Sequence, residues 1–184
     1  MNNHLQLENL RHTNNWFNYQ EFYDQVAGIP HFETFVEVGV WKGHSISYLA
    51  RKLQGRKCQL YAVDLFEDSK MFPDLSEEVE VIHQVYDLNL RASGVRDMII
   101  DIKEHSNIAP QRFEDRSIDF VFIDADHTYE AVKSDIIAWL PKIRPGGIIS
   151  GHDYESIDVR RAVHEVFFNY VHRPISSVWC VYIK

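Results

Sequence analysis

Two stretches late in the chain, Phe120-Val-Phe-Ile-Asp-Ala-Asp-His127 and Gly146-Gly-Ile-Ile-Ser-Gly-His-Asp153, each run from apolar residues into acids and a histidine. Carboxylates and imidazoles brought together can hold a metal ion or move a proton near neutral pH. If both runs are neighbouring parallel strands, Asp124, Asp126, His127, His152 and Asp153 gather on one rim of a sheet, where open α/β sheets bind ligands. Asp124 and Asp153 ending adjacent strands would suit an oxygen-binding ion such as Mg²⁺. His152 between them tilts the set toward Mn²⁺, Fe²⁺ or Zn²⁺, or toward no metal. His127 follows Asp124 by three residues and shares its rim if a helical turn starts there. The plainer reading makes Asp126 a helix cap before Tyr129 and His127 a partner for a nearby loop.

A second group lies earlier. Glu37-Val-Gly-Val-Trp-Lys-Gly43 follows a strand-like run and opens a helix-like one. Gly39 lets a ligand approach the backbone, and the N–H groups of a helix start favour a carboxylate or phosphate. A dinucleotide fingerprint would place glycine at position 37, where this chain has a glutamate that repels a pyrophosphate and attracts an ammonium. A ligand of amino acid type fits better than NAD. Asp64 closes the next strand-like run, where a carboxylate can accept both hydroxyls of a ribose. In the bland alternative Gly39 and Gly43 are tight-turn residues and Asp64 a cap.

The elements that must position these groups alternate. Strands are expected at 34–39, 59–64, 98–102, 118–124, 148–150 and 178–183, with helices at 45–53, 79–92, along the Tyr129, Val132, Ile136, Leu140 face, and at 158–168. Pro141 and Pro145-Gly-Gly stop the helix before the strand at 148–150. This alternation implies an α/β fold, a parallel sheet with helices on both faces. Residues 1–30 read as a helical extension, its aromatic helix Trp16–Val26 outside that core, and residues 31–184 as the main domain. The acidic stretch from Phe66 to Glu80, with Met71-Phe72-Pro73, suits a mobile cover over a ligand. Its Glu77-Glu78-Val-Glu80 suits a solvated helix start.

Composition narrows the partners. A chain of 184 residues with 45% hydrophobic residues and a net charge of −8 fits one globular domain and disfavours nucleic acid or an anionic membrane. The polar start, the lack of an apolar run of about 20 residues, and only two cysteines point to a cytoplasmic protein with buried free thiols at Cys58 and Cys180. The aromatic segment at the start could pack on a second subunit, making a homo-oligomer the expected assembly if there is one.

At Glu37-x-Gly39-x-x-x-Gly43, Asp64, Phe122-Ile-Asp-Ala-Asp-His127, Pro145-Gly-Gly and Gly151-His-Asp153 the chain resembles class I S-adenosylmethionine-dependent methyltransferases. It looks closest to the small branch related to sugar- and antibiotic-tailoring O-methyltransferases and cephalosporin-tailoring proteins. The resemblance runs from about Phe32 to Asp153. It implies a Rossmann-like sheet of seven mostly parallel strands with an antiparallel last strand. It also implies that Glu37 and the backbone from Gly39 to Gly43 hold the methionine end of S-adenosylmethionine, Asp64 the ribose, and His105-Ser106 the adenine, with Asp124 near the cofactor. In the metal-dependent relatives the position of His152 is commonly acidic. The general base of the sugar enzymes matches His127, which becomes the expected catalytic base beside Asp124, with Asp124, His152 and Asp153 as the metal set for Mg²⁺ or Mn²⁺.

The function so implied is methyl transfer to a hydroxyl of a small acceptor, a sugar or sugar-containing metabolite. Two other classes stay open on the residues: an accessory protein that keeps the fold without transfer, and a nicotinamide-dependent oxidoreductase, which Glu37 disfavours.

Overall fold

The computed structural model describes residues 16–66 and 79–184. In chain order these form α1 (Gln20–Ala27), β1 (Thr34–Val38), α2 (His44–Lys52), β2 (Gln59–Asp64), α3 (Val79–Ala92), β3 (Ile99–Lys103), β4 (Ile118–Ile123), α4 (Tyr129–Trp139), β5 (Ile143–Gly151), α5 (Ile157–Phe167), β6 (His172–Ile175) and β7 (Val178–Tyr182). The seven strands make one sheet in the order β3-β2-β1-β4-β5-β7-β6. Pairs among β1 to β5 are parallel, and β7 runs antiparallel to both β5 and β6. The expected mostly parallel seven-stranded sheet with an antiparallel last strand is therefore present. The chain winds outward from β1 to β3 and returns to β4 beside β1. That return creates a switch point at the carboxyl ends of β1 and β4, the usual ligand crevice of such sheets.

Side chains alternate across the sheet with a period of two. Phe35, Phe120 and Phe122 face one way, into a core shared with α1, α2 and α3. Val36, Val38, Val121 and Ile123 face the other, into a core shared with α4 and α5. Both faces are covered, which is why β4 is buried along its whole length and is apolar throughout except for Asp119. At the opposite end of the sheet, Asp119 accepts hydrogen bonds from the N–H groups of Glu33 and Thr34 at 2.7 and 2.8 Å and pairs with Arg144, fixing the entry into β1.

Three expectations need correction. The aromatic N-terminal helix does not lie outside the core: Tyr19, Phe22, Tyr23 and Val26 are buried within it, and Tyr23 packs edge-on against Phe120 and Phe122. Gln20, Glu21, Asp24 and Gln25 take the outer face, so the helix is amphipathic and needs the sheet to cover it. It begins at Gln20, not Trp16, and its exit is gripped by the Arg56 guanidinium, which donates to the carbonyls of Ala27, Ile29 and Phe32. Second, Pro145-Gly-Gly lies inside β5, at a register irregularity against β4 between Ile118 and Phe120. Gly146 takes φ +83° and still donates to Ile183, so pairing with the last strand continues through the bulge. Third, Cys58 is only half-buried, just before β2, whereas Cys180 is buried; both are free thiols.

Among the described residues no helix is long and apolar enough to cross a membrane. The expected cover over a ligand, Met71-Phe72-Pro73, and the acids Glu77 and Glu78 lie outside the described residues.

Candidate active site

The glycine turn between β1 and α2 is bent by three residues with positive φ, Gly39 at 84°, Trp41 at 43° and Gly43 at 78°. Glycine at 39 answers a close approach. A Cβ there would sit 2.2 Å from the carbonyl oxygen of Asp124, so only a hydrogen allows the end of β4 to lie against the turn. At Gly43 a Cβ would meet the Tyr86 ring at 2.8 Å. Asp64 staples the turn from the neighbouring strand: one carboxylate oxygen accepts the N–H groups of Val40 and Trp41, both at 2.9 Å, and the other accepts that of Phe66 at 2.8 Å. The start of α2, after Gly43, carries no side-chain cap. Lys42 sits over the Trp41 ring at 4.5 Å, and burial lowers its pKa.

Glu37 behaves differently from the expectation that it faces an ammonium. It is fully buried, and its two carboxyl oxygens are taken by the hydroxyls of Ser45 and, at 2.8 Å, Tyr23. Burial pushes its pKa up to about 8, against the lowering effect of those two donors. Burial thus disfavours its ionised form, and with both oxygens accepting hydroxyls it braces α1 and α2 behind the turn. Of the pair expected at the adenine, His105 is exposed and Ser106 half-buried. The Ser106 hydroxyl donates to Asp135 at 2.6 Å and its carbonyl accepts from the Trp139 indole at 2.9 Å, which pins the loop after β3 to α4. Burial pushes the Asp135 carboxyl up to about 6.

The rim at the ends of β4 and β5 assembles as its spacing implies. His127 Nε2 lies 3.0 Å from Asp153 Oδ2 and 3.5 Å from Asp124 Oδ1. His152 Nδ1 lies 3.2 Å from the same Asp153 oxygen and 3.5 Å from the same Asp124 oxygen. Two imidazoles and two carboxylates therefore converge on one point. The neighbouring carboxylates of Asp124 and then Asp153 raise His127 to about 10. Burial lowers the pKa of His152, but the same two carboxylates outweigh it and hold the ring at about 9. In return the imidazoles keep Asp124 and Asp153 below the usual carboxylate range, although burial works the other way. At neutral pH the four groups form an alternating set of two cations and two anions. Asp153 holds this place with φ 52°, a left-handed conformation uncommon outside glycine, asparagine and aspartate. Asp126 stands apart and accepts the N–H of Thr128 at 2.8 Å, the turn that leads into α4.

The residues that the spacing of motifs does not disclose come from the chain ahead of α1. The Tyr19 hydroxyl donates to Asp124 Oδ2 at 3.1 Å, and Asn18 Oδ1 lies 3.2 Å from His152 Nε2. Trp16 stacks on Trp41 at 4.8 Å between centroids. One signal for them was present: tyrosine in place of phenylalanine at positions 19 and 23 brings a hydroxyl that must find a partner when buried.

The comparisons with known proteins concern the fold and the family. TomG, an O-methyltransferase from Streptomyces achromogenes solved with S-adenosylmethionine, superposes with a TM-score of 0.64 at 14% identity, covering 90% of this chain and 79% of that one. CalS11, a TDP-rhamnose 3'-O-methyltransferase of calicheamicin biosynthesis, superposes with a TM-score of 0.60 at 14% identity, covering 94% and 80%. At such identities the likeness concerns the fold. In sequence, an uncharacterized protein of Sinorhizobium fredii, y4gI, is 40% identical over 42 residues, 23% of this chain, which spans only 5% of that relative's length. The family profile described as "Methyltransferase domain" matches residues 36–154, from within β1 past the rim at Asp153, and with well over half of its length so matched the chain belongs to that methyltransferase family.

Proposed function

We propose that this protein is a cytoplasmic S-adenosylmethionine-dependent methyltransferase that O-methylates a hydroxyl of a small acceptor, a sugar or sugar-containing metabolite. The observation that carries the reading is the contact of Gly39 with Asp124, which sets a cofactor-type turn against a rim of acids and imidazoles with no side chain between their backbones. The likeness to a TDP-rhamnose methyltransferase supports a sugar as acceptor.

The residues fit the groups this reaction needs. The helix start of α2, with no side-chain cap, suits a methionine carboxylate. The half-buried Asp64 carboxylate, which already accepts three backbone N–H groups, has lone-pair capacity left for a ribose hydroxyl. Asp124, His152 and Asp153 each present one donor atom within 4.8 Å of the others, the mixed oxygen and nitrogen set of a divalent site. When bound, S-adenosylmethionine supplies an electrophilic methyl group and a divalent ion lowers the pKa of a coordinated hydroxyl.

The chain's own part is to orient the acceptor and take its proton. Asp124 and Asp153, both held ionised, accept a hydrogen bond from the hydroxyl and so aim its lone pair toward the turn. His127, charged while it lies between the two carboxylates, serves as a base only after a carboxylate is drawn away from it and its pKa falls. Calorimetry with S-adenosylhomocysteine tests the proposal: binding that weakens at least tenfold in Asp64→Ala supports it, and an absence of binding by the parent protein overturns it. Transfer of labelled methyl to a panel of sugar nucleotides should then slow in His127→Ala while cofactor binding stays unchanged.

A further inference from the structure

The segment Trp16–Tyr19 precedes every motif of the family match, yet it reaches both halves of the site. Trp16 rests on Trp41 of the glycine turn, while Asn18 and Tyr19 reach the rim. Asn18 Oδ1 also accepts a hydrogen bond from the Ser177 hydroxyl at 2.8 Å, just before β7. With the Asn18 amide oriented so that Oδ1 accepts from Ser177, the Nε2 of His152, 3.2 Å away, is the donor that joins them. That assignment has a consequence at the other ring nitrogen. With Nε2–H committed to Asn18, Nδ1 is the atom turned to Asp124 and Asp153, at 3.5 and 3.2 Å.

Ligands about 2.1 Å from a common ion and at right angles to it lie about 3 Å apart, close to these separations. A histidine that ligates through one nitrogen is oriented by what the other nitrogen donates to. Tyr19 does the equivalent for Asp124: its hydroxyl holds Oδ2, leaving Oδ1 as the atom that faces His152. The Tyr19 ring is anchored in the core against Phe122 and lies 4.8 Å from the His152 ring, so neither partner is free to swing.

We propose that Asn18 and Tyr19 are positioning residues of the rim, which turn His152 Nδ1 and Asp124 Oδ1 toward one another and so select a divalent ion that accepts imidazole over Mg²⁺. Ion entry displaces the proton from Nδ1 to solvent while Nε2 keeps its hydrogen on Asn18. This deepens the reading of the rim as the acceptor side, but it is tested with metal alone, so its failure leaves the S-adenosylhomocysteine result standing or falling by itself.

The probe is Co²⁺, titrated into the purified full chain and followed by its visible absorption. The parent protein should bind Co²⁺ with bands that His152→Ala abolishes, and should bind Mg²⁺ far more weakly in competition. Asn18→Ala should weaken Co²⁺ about 10–100-fold and shift the bands. Asn18→Asp, which keeps an acceptor oxygen at the same reach, should restore them. Tyr19→Phe removes only the hydroxyl and should weaken binding severalfold with unfolding unchanged within a small margin. The proposal is overturned if the parent binds no Co²⁺, if Asn18→Ala binds it like the parent with the same spectrum, or if Asn18→Asp remains as weak as Asn18→Ala.

Discussion

Gly39 and Glu37 show how single residues decide the site. At Gly39 both the backbone, at φ +84°, and the space, 2.2 Å from Asp124, forbid a side chain. Gly39→Ala should therefore cost about 2–5 kcal/mol, the sum of a left-handed alanine and an overpacked contact. Urea denaturation reads this directly, and an alanine variant as stable as the parent would remove the close approach from the account. Glu37 carries a testable pH dependence. Its native pKa, about 8, stands above the ordinary 4.5, so the native state holds a proton that the unfolded chain has lost between those values. The stabilisation is full below about pH 4.5 and disappears as pH rises through about 8. Replacing Glu37 with Gln should flatten this part of the stability profile relative to the parent, measured as urea midpoints at several pH values. The residue motifs were legible because they sit at consecutive positions, 37 to 43, 124 to 127, 151 to 153. Asn18 and Tyr19 were not, since their partners lie 134 and 105 positions away and no spacing along the chain encodes such a contact.

At the scale of elements, α1 is the one whose position the sequence misrepresented. Aromatic residues at 19, 22 and 23, with Val26 and Ala27, are consistent with either a helix on a partner or a helix on the sheet, and composition does not separate the two. What decides is Phe120 and Phe122 on the matching face of β4, together with Arg56 binding the carbonyls at the helix exit. Phe22→Ala should consequently destabilise the whole fold by about 3–5 kcal/mol, as loss of a buried aromatic in a core does. Chemical unfolding of that variant would expose the error if the loss were only a few tenths. β6 escaped the sequence for a different reason. His172-Arg-Pro-Ile is exposed along most of its length, with a proline at the edge of the sheet, so it has no alternating apolar face to read. By contrast β1, β2 and β4 are covered on both sides and their apolar runs mark their bounds to within a residue.

For the molecule as a whole, the rim is an internal set of charges that depends on pH beyond Glu37. His127 and His152 sit above the ordinary 6.5, at about 10 and about 9. A raised histidine stabilises the native state below the unfolded pKa, and that contribution is lost as pH rises through the folded value. Stability should thus decline between about pH 6.5 and 10, and the double variant His127→Ala, His152→Ala should show a shallower alkaline decline in thermal melts. An equally steep decline in the variant would place its origin elsewhere.

The sheet order has one more implication, for the sequence of events during folding. β7, formed by Val178–Tyr182, is an interior strand between β5 and β6, and Ser177 beside it hydrogen-bonds Asn18, 159 positions earlier. The site-bearing edge therefore cannot close while the chain is shorter than about residue 180, however early β1, α2 and β2 form. Until that late strand inserts, a nascent chain would carry its glycine turn and its first acids but lack the Ser177 anchor of Asn18 beside His152, so the rim should be ordered only at the very end of folding.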